Sequence, residues 1–83
     1  MKHAREDYMR IQDPENKIPE DEPVFLLRAK DLCAPDTIRY WADCAEGFDA
    51  DPEITARARS QARRMEEWQT RYGAKVPDLK EDV

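Results

Sequence analysis

The residues best suited to binding chemistry are arginines that recur at intervals of seven. Arg57, Arg64 and Arg71 share one edge of a helix if this segment is helical, and Trp68 borders that edge. Guanidinium groups form paired hydrogen bonds with phosphate, and an aromatic ring can stack on a base. Tyrosine is enriched at binding interfaces, which adds Tyr40. These five residues are our candidates for binding a small phosphorylated, nucleotide-like ligand.

The same arginines have a simpler alternative interpretation. Arg57 follows Glu53, and Arg71 follows Glu67, by four residues, which is the spacing of ordinary ion pairs on a helix surface. In that case the row of three arginines is only a solvated helix edge. The spacing alone leaves both interpretations open.

A second candidate surface is acidic. Glu20, Asp21 and Glu22 lie between Pro19 and Pro23, and prolines favour an extended backbone around them. Three adjacent carboxylates suit docking on a basic protein partner. The alternative is a connector that only keeps the chain soluble.

Residue types that support catalysis or metal binding are scarce. His3 is the single histidine, and the spacing of Cys33 and Cys44 fits neither a redox CxxC pair nor a zinc site. Glycine occurs only at Gly47 and Gly73, so no glycine-rich phosphate loop exists. We therefore expect no enzyme activity, no metal and no cofactor.

Length and composition limit the core. The chain has 83 residues, of which 40% are charged, so we expect one domain with a thin core. Chains of this size often gain stability by self-association. The net charge of −5 disfavours duplex DNA as a partner. No apolar run reaches the ~20 residues that span a membrane, and the first ten residues lack a signal-peptide core, so we expect a cytoplasmic protein.

The part of the chain before the helices divides into three stretches. Residues 1–17 are polar and end in a turn signal, Asp13-Pro14-Glu15-Asn16. Residues 18–23 form a proline-bracketed arm. The short apolar run 24–30 predicts a strand.

Two helices follow. The first is expected at 35–46, with Pro35 in its first turn and Gly47 as a left-handed cap. The second is expected at 52–72, with Asp51 as N-cap and Gly73 as its stop. Residues 74–83 are a charged tail, and 18–73 form the domain.

The fold class is therefore mainly α, a short strand or arm followed by an antiparallel two-helix hairpin. Apolar spacing predicts that Trp41, Phe48, Met65 and Trp68 are buried between the helices. The strand has no clear partner in its own chain, and unpaired backbone groups are costly. We therefore expect a homo-oligomer.

The stretch Ile18 to Asp31, with Ala34-Pro35 and Trp41-Ala42, resembles small proteins encoded by phages and prophages. This resemblance covers about half of the chain. It implies a class of accessory proteins, some of which disarm host defences by binding an effector or sequestering a signal. No individual binding residue follows from it.

The order strand, helix, helix also resembles ribbon-helix-helix repressors, in which paired strands of a dimer read the major groove. Arg28 and Lys30 would lie on one strand face, as that fold needs. Leu26 on the same face, Pro23 before the strand and the acidic charge balance oppose it.

These observations favour a non-enzymatic, self-associating binding protein of the phage anti-defence class. It would either block a host protein or sequester a small nucleotide signal. The alternative is a DNA-binding repressor of the ribbon-helix-helix type.

Overall fold

The structure is a computed structural model that describes residues 13–79. Helix α1 spans Ala34–Gly47 and helix α2 spans Pro52–Tyr72. The two helices pack together as a hairpin. The bounds predicted from the sequence lie within one residue of those observed for both helices. Most of the polar segment at 1–17 and the end of the tail at 74–83 lie outside the described residues.

Helix α2 begins and ends through the local signals that its sequence carries. The carboxylate of Asp51 accepts a hydrogen bond from the Glu53 backbone N–H at 2.9 Å, and Pro52 occupies the first turn. At the other end Gly73 adopts a positive φ of 88° and donates its N–H to the Gln69 carbonyl at 2.7 Å. Both predicted caps of α2 are confirmed.

Helix α1 ends differently from the prediction. Pro35 lies in its first turn as expected, but Gly47 is its last helical residue and does not adopt the left-handed conformation. That conformation falls on Asp49, with φ of 59°. Aspartate tolerates this region better than most residues, and the N–H groups of Phe48 and Asp49 bond back to carbonyls of the last turn. The turn therefore closes two residues later than the glycine suggested.

The contact between the helices is built from small side chains. Six of the described residues are buried, namely Ala34, Pro35, Ala42, Thr55, Ala62 and Met65. The hydroxyl of Thr55 donates to the Pro52 carbonyl, so its burial leaves no polar group unpaired. Alanines let the two backbones approach closely but contribute little apolar area.

The prediction that aromatic residues fill the core was wrong. Trp41 is 49% exposed, Trp68 is 37% exposed and Phe48 is 89% exposed, whereas Met65 is buried as predicted. The buried row of α2 consists of Thr55, Ala62 and Met65. The face of α2 that contacts α1 is therefore centred away from the edge that carries Trp68. A ring placed between the helices would force them apart, and all three rings are exposed outside the contact.

Charged side chains connect the helices along the opposite edge. Arg39 on α1 forms a bidentate pair with Glu66 on α2, with Nη1–Oε2 at 2.8 Å. Arg59 on α2 bonds to Asp43 at 2.9 Å and to Glu46 at 3.1 Å. The hydrogen bonds raise the pKa of both arginines, and the bond from Arg39 lowers the pKa of Glu66. These pairs fix the register of the hairpin.

The predicted strand at 24–30 does not form in the described chain. The side-chain amide of Gln69 instead donates to the carbonyls of Ala29 and Asp31, at 2.9 and 3.0 Å. An isolated parallel bridge joins Asp31 to Lys75, with Leu32 donating to the Lys75 carbonyl at 2.9 Å. Within the described residues, the end of this segment thus pairs its backbone groups with α2 and the tail.

The two helices of the described part are also not membrane-spanning. Neither combines the length and the apolar character that crossing a bilayer requires.

Replacing Ala62 by leucine should destabilise the hairpin by about 1–3 kcal/mol, because the added atoms have no space between the helices. Ala56→Leu is the matched control, since Ala56 is exposed on the same helix. Chemical denaturation of both variants measures the difference. Equal stability of the two variants would show that α1 and α2 do not meet at Ala62.

Replacing Glu66 by glutamine should flatten the dependence of stability on pH in the acid range. Because the folded pKa of Glu66 is lowered, its contribution is complete above the usual glutamate value of about 4.3 and is lost as pH falls through the lower folded value. Glu67→Gln is the control, because Glu67 makes no ion pair within the described residues. Thermal unfolding across pH 3 to 7 tests this, and identical profiles for wild type and Glu66→Gln would contradict it.

Candidate functional site

The larger concave surface lies between the segment before α1 and the side of α2. This arm groove has a volume of about 420 Å³. Its lining residues come from both sides and are Leu27, Arg28, Ala29, Gln61, Arg64, Met65 and Trp68. The volume falls within the roughly 300–1,000 Å³ typical of small-molecule pockets. Apolar side chains and two arginines thus line an open concave surface on which one small ligand could lie.

A smaller depression continues along the C-terminal half of α2. This tail groove has a volume of about 220 Å³ and is lined by Arg64, Glu67, Trp68, Arg71 and Tyr72. The rings of Trp68 and Tyr72 lie 5.0 Å apart between centroids and are tilted by 42°. Arg64 and Trp68 line both grooves. The two grooves are therefore adjoining parts of one surface.

Two arginines of this surface, Arg64 and Arg71, are not neutralised within the described residues. Arg64 and Arg71 are exposed, and their side chains make no ion pair or hydrogen bond within the described part of the chain. The i,i+4 pair between Glu67 and Arg71, the simpler interpretation of their spacing, does not form. Three arginines and one glutamate line the combined grooves, counting Arg28. Their guanidinium groups suit an anionic ligand.

The structure separates the predicted ligand-binding residues into two sets. Arg64, Arg71 and Trp68 lie together in the grooves. Arg57 is instead paired with Glu53 at 2.9 Å and lines neither groove. Tyr40 is on α1, 72% exposed, and also lines neither groove. The ordinary ion-pair interpretation thus applies to Arg57, and the geometry leaves Arg64 and Arg71 available.

Residues of the arm groove were missed from the sequence as ligand contacts. The sequence suggests Arg28 only as a DNA contact on a strand, and it gives no ligand role to Leu27. They join Arg64 because Gln69 holds the following residues against α2. No local spacing reveals this contact, since about 40 residues separate the partners in the chain.

The acidic segment forms a turn rather than an extended arm. The Glu22 N–H donates to the Pro19 carbonyl at 3.1 Å, which bends the backbone between the two prolines. Before it, the carboxylate of Asp13 accepts the N–H groups of Lys17 and Ile18 at 2.9 and 3.0 Å. Glu20, Asp21 and Glu22 are all exposed. The predicted partner-binding residues are therefore displayed on the tip of a turn.

The described residues contain no cluster of three histidine, cysteine or acidic side chains with the geometry to hold a metal ion. Cys33 and Cys44 are free thiols and both are exposed.

Comparison of the chain with protein-family models, curated proteins and solved structures finds no match. Its function must therefore be argued from its own side chains.

Replacing Gln69 by leucine should loosen the segment that forms one wall of the arm groove. Two hydrogen bonds are lost, each contributing about 0.5–1.5 kcal/mol. Amide hydrogen exchange at Leu32 and Lys75 should accelerate about tenfold or more, if the segment opens locally. Thr70→Val is the control, because the Thr70 hydroxyl bonds only within α2. Unchanged exchange in Gln69→Leu would mean that other contacts hold the segment.

Proposed function

We propose that this protein is a non-enzymatic, self-associating binding protein that takes up a small phosphorylated ligand with an aromatic base, a nucleotide, on the surface formed by the two grooves. The observation that carries the proposal is the position of Arg64 and Arg71. Both lie beside the rings of Trp68 and Tyr72, and neither side chain has a partner within the described residues.

The chemistry of the two grooves suits the two ends of such a ligand. The arm groove is lined by Leu27, Met65 and Trp68, which favour a flat apolar ring. The tail groove offers Arg64 and Arg71, which favour phosphate oxygens. Because Trp68 and Arg64 belong to both grooves, a base and its phosphate would be held at adjoining positions.

Ion pairs that other arginines form with carboxylates of the chain support the same assignment. Arg39, Arg57 and Arg59 are each bonded to a carboxylate of their own chain. Binding a phosphate through one of these would require breaking an existing ion pair. Arg64 and Arg71 carry no such cost.

The resemblance to phage accessory proteins supports a biological role for this binding. A protein that binds a nucleotide tightly and does not convert it lowers the free concentration of that nucleotide. We propose that the protein acts against host defence by sequestering such a signal. Blocking a host protein through Glu20, Asp21 and Glu22 is the other mechanism of the same class, and their exposure is compatible with it.

The ribbon-helix-helix alternative gains no support from the described chain. Its reading element is a strand, and residues 24–30 form none. Arg28, one of its two expected DNA contacts, lines the arm groove beside α2.

Calorimetry against mono-, di- and cyclic nucleotides tests the ligand. Arg64→Ala and Arg71→Ala should each weaken binding about ten- to a hundredfold, because a charge-assisted hydrogen bond contributes roughly 1.5–3 kcal/mol. Arg57→Ala is the matched control on the same helix and should bind as the wild type does.

Two outcomes would contradict this proposal. One is that no nucleotide binds the wild-type protein. The other is that Arg57→Ala weakens binding as much as Arg64→Ala. Tight, salt-sensitive binding of duplex DNA that is lost on changing Arg28 and Lys30 would favour the repressor alternative instead.

A further inference from the structure

Helix α1 has an exposed face without a single charged residue, in a chain where 40% of residues are charged. Its four charged residues lie on the side that reaches α2 or next to it, and Arg39, Asp43 and Glu46 form ion pairs there. The uncharged face consists of Thr37, Tyr40, Trp41, Cys44 and Gly47, and Phe48 continues it as the residue directly after the helix; all six are exposed. A solvated helix normally carries its charges on such a face.

The spacing on this face is that of a helix-packing seam. Thr37, Trp41, Cys44 and Phe48 follow one another at intervals of four, three and four. These intervals place side chains in a row along one side of a helix, as in the contact line of a coiled coil. The row is separate from the buried row through Ala34 and Ala42 that contacts α2. Helix α1 therefore has two contact rows, and the described chain covers one of them.

We propose that the uncharged face of α1 packs against the same face of a second copy, antiparallel, about a two-fold axis. In this arrangement Trp41 lies opposite Cys44 of the partner subunit, and Thr37 lies opposite Phe48 of the partner subunit. Each large side chain then meets a small one, as good packing requires. A parallel arrangement would place ring against ring and leave space between the small residues.

A second copy fits this face better than an unrelated partner for two reasons. An uncharged surface needs an uncharged complement, and within the described residues this face itself provides one that is helical and of matching length. The monomer also buries only six of its described residues, so it lacks apolar burial of its own. A two-fold contact between copies supplies this apolar burial, and a second copy is present wherever the protein is.

The area available is sufficient for a modest dimer contact. Tyr40, Trp41 and Phe48 are 72%, 49% and 89% exposed. At roughly 150–250 Å² for each aromatic side chain, they expose together roughly 300–500 Å² per copy. A standard interface buries about 800 Å² per partner, and Thr37 and Cys44 on the same face add to the aromatic share.

This inference rests on the self-association within the proposed function and is independent of its ligand. Phe48 is so exposed that Phe48→Glu should leave the hairpin folded but prevent the packing of α1 on its copy. Leu79→Glu is the matched control, because Leu79 is equally exposed but lies outside this face. Sedimentation equilibrium at micromolar concentration gives the mass, and far-ultraviolet circular dichroism confirms the helices.

We expect the wild type and Leu79→Glu to sediment at twice the monomer mass or a higher multiple, and Phe48→Glu and Cys44→Glu to sediment as monomers. Adding Thr37→Lys to Phe48→Glu should restore association, since the antiparallel register places the new opposite charges together twice. A monomeric wild type, or equal masses for Phe48→Glu and Leu79→Glu, would overturn the proposal. Failure of the double variant to associate would overturn the antiparallel register.

Nucleotide calorimetry on the same variants separates this inference from the ligand proposal. Phe48→Glu leaves both α2 grooves unchanged, so loss of the dimer does not require loss of ligand binding. A wild type that dimerises through α1 but binds no nucleotide would support this inference and contradict the ligand proposal.

Discussion

The close approach of α1 and α2 through alanine side chains is the contact on which the rest of the structure depends. Ala34, Ala42 and Ala62 are fully buried, and no bulky ring lies between the helices. Alanine brings two backbones together but removes little apolar surface from water. The hairpin therefore gains its register from ion pairs and caps, and its large apolar side chains are left at the surface.

The same contact decides which arginines are available for binding. Arg39 and Arg59 project from the edge where the helices meet and find carboxylates on the opposite helix. Arg64 and Arg71 project from the other side of α2, where Glu67 lines the same groove but makes no ion pair with them. Exposed ion pairs contribute little to stability individually. Their effect here is to distinguish arginines that hold the fold from arginines that remain open to a ligand.

The sequence allowed accurate prediction where the determinants are local. The bounds of α2 follow from Asp51, Pro52 and Gly73, which act within one turn of the backbone. The strand predicted at 24–30 is not found in the described residues, because leucines do not distinguish a strand from an irregular segment whose end is held by Gln69. The aromatic core was wrong because an apolar stripe covers a wide arc of a helix, and its centre depends on how closely the partner helix approaches. Helical spacing in the sequence predicted that Arg64, Trp68 and Arg71 lie along one edge, whereas Arg28 joins them only through a tertiary contact.

Packing on alanine links the two proposals physically. Aromatic side chains excluded from the hairpin appear on two separate surfaces, Trp41 and Phe48 on α1 and Trp68 and Tyr72 on α2. The α1 surface has no charge and suits a second copy, whereas the α2 surface has unpaired arginines and suits an anion. A partner that binds only the folded state stabilises it by mass action. A hairpin with so small a core would therefore gain stability from each of the two proposed contacts.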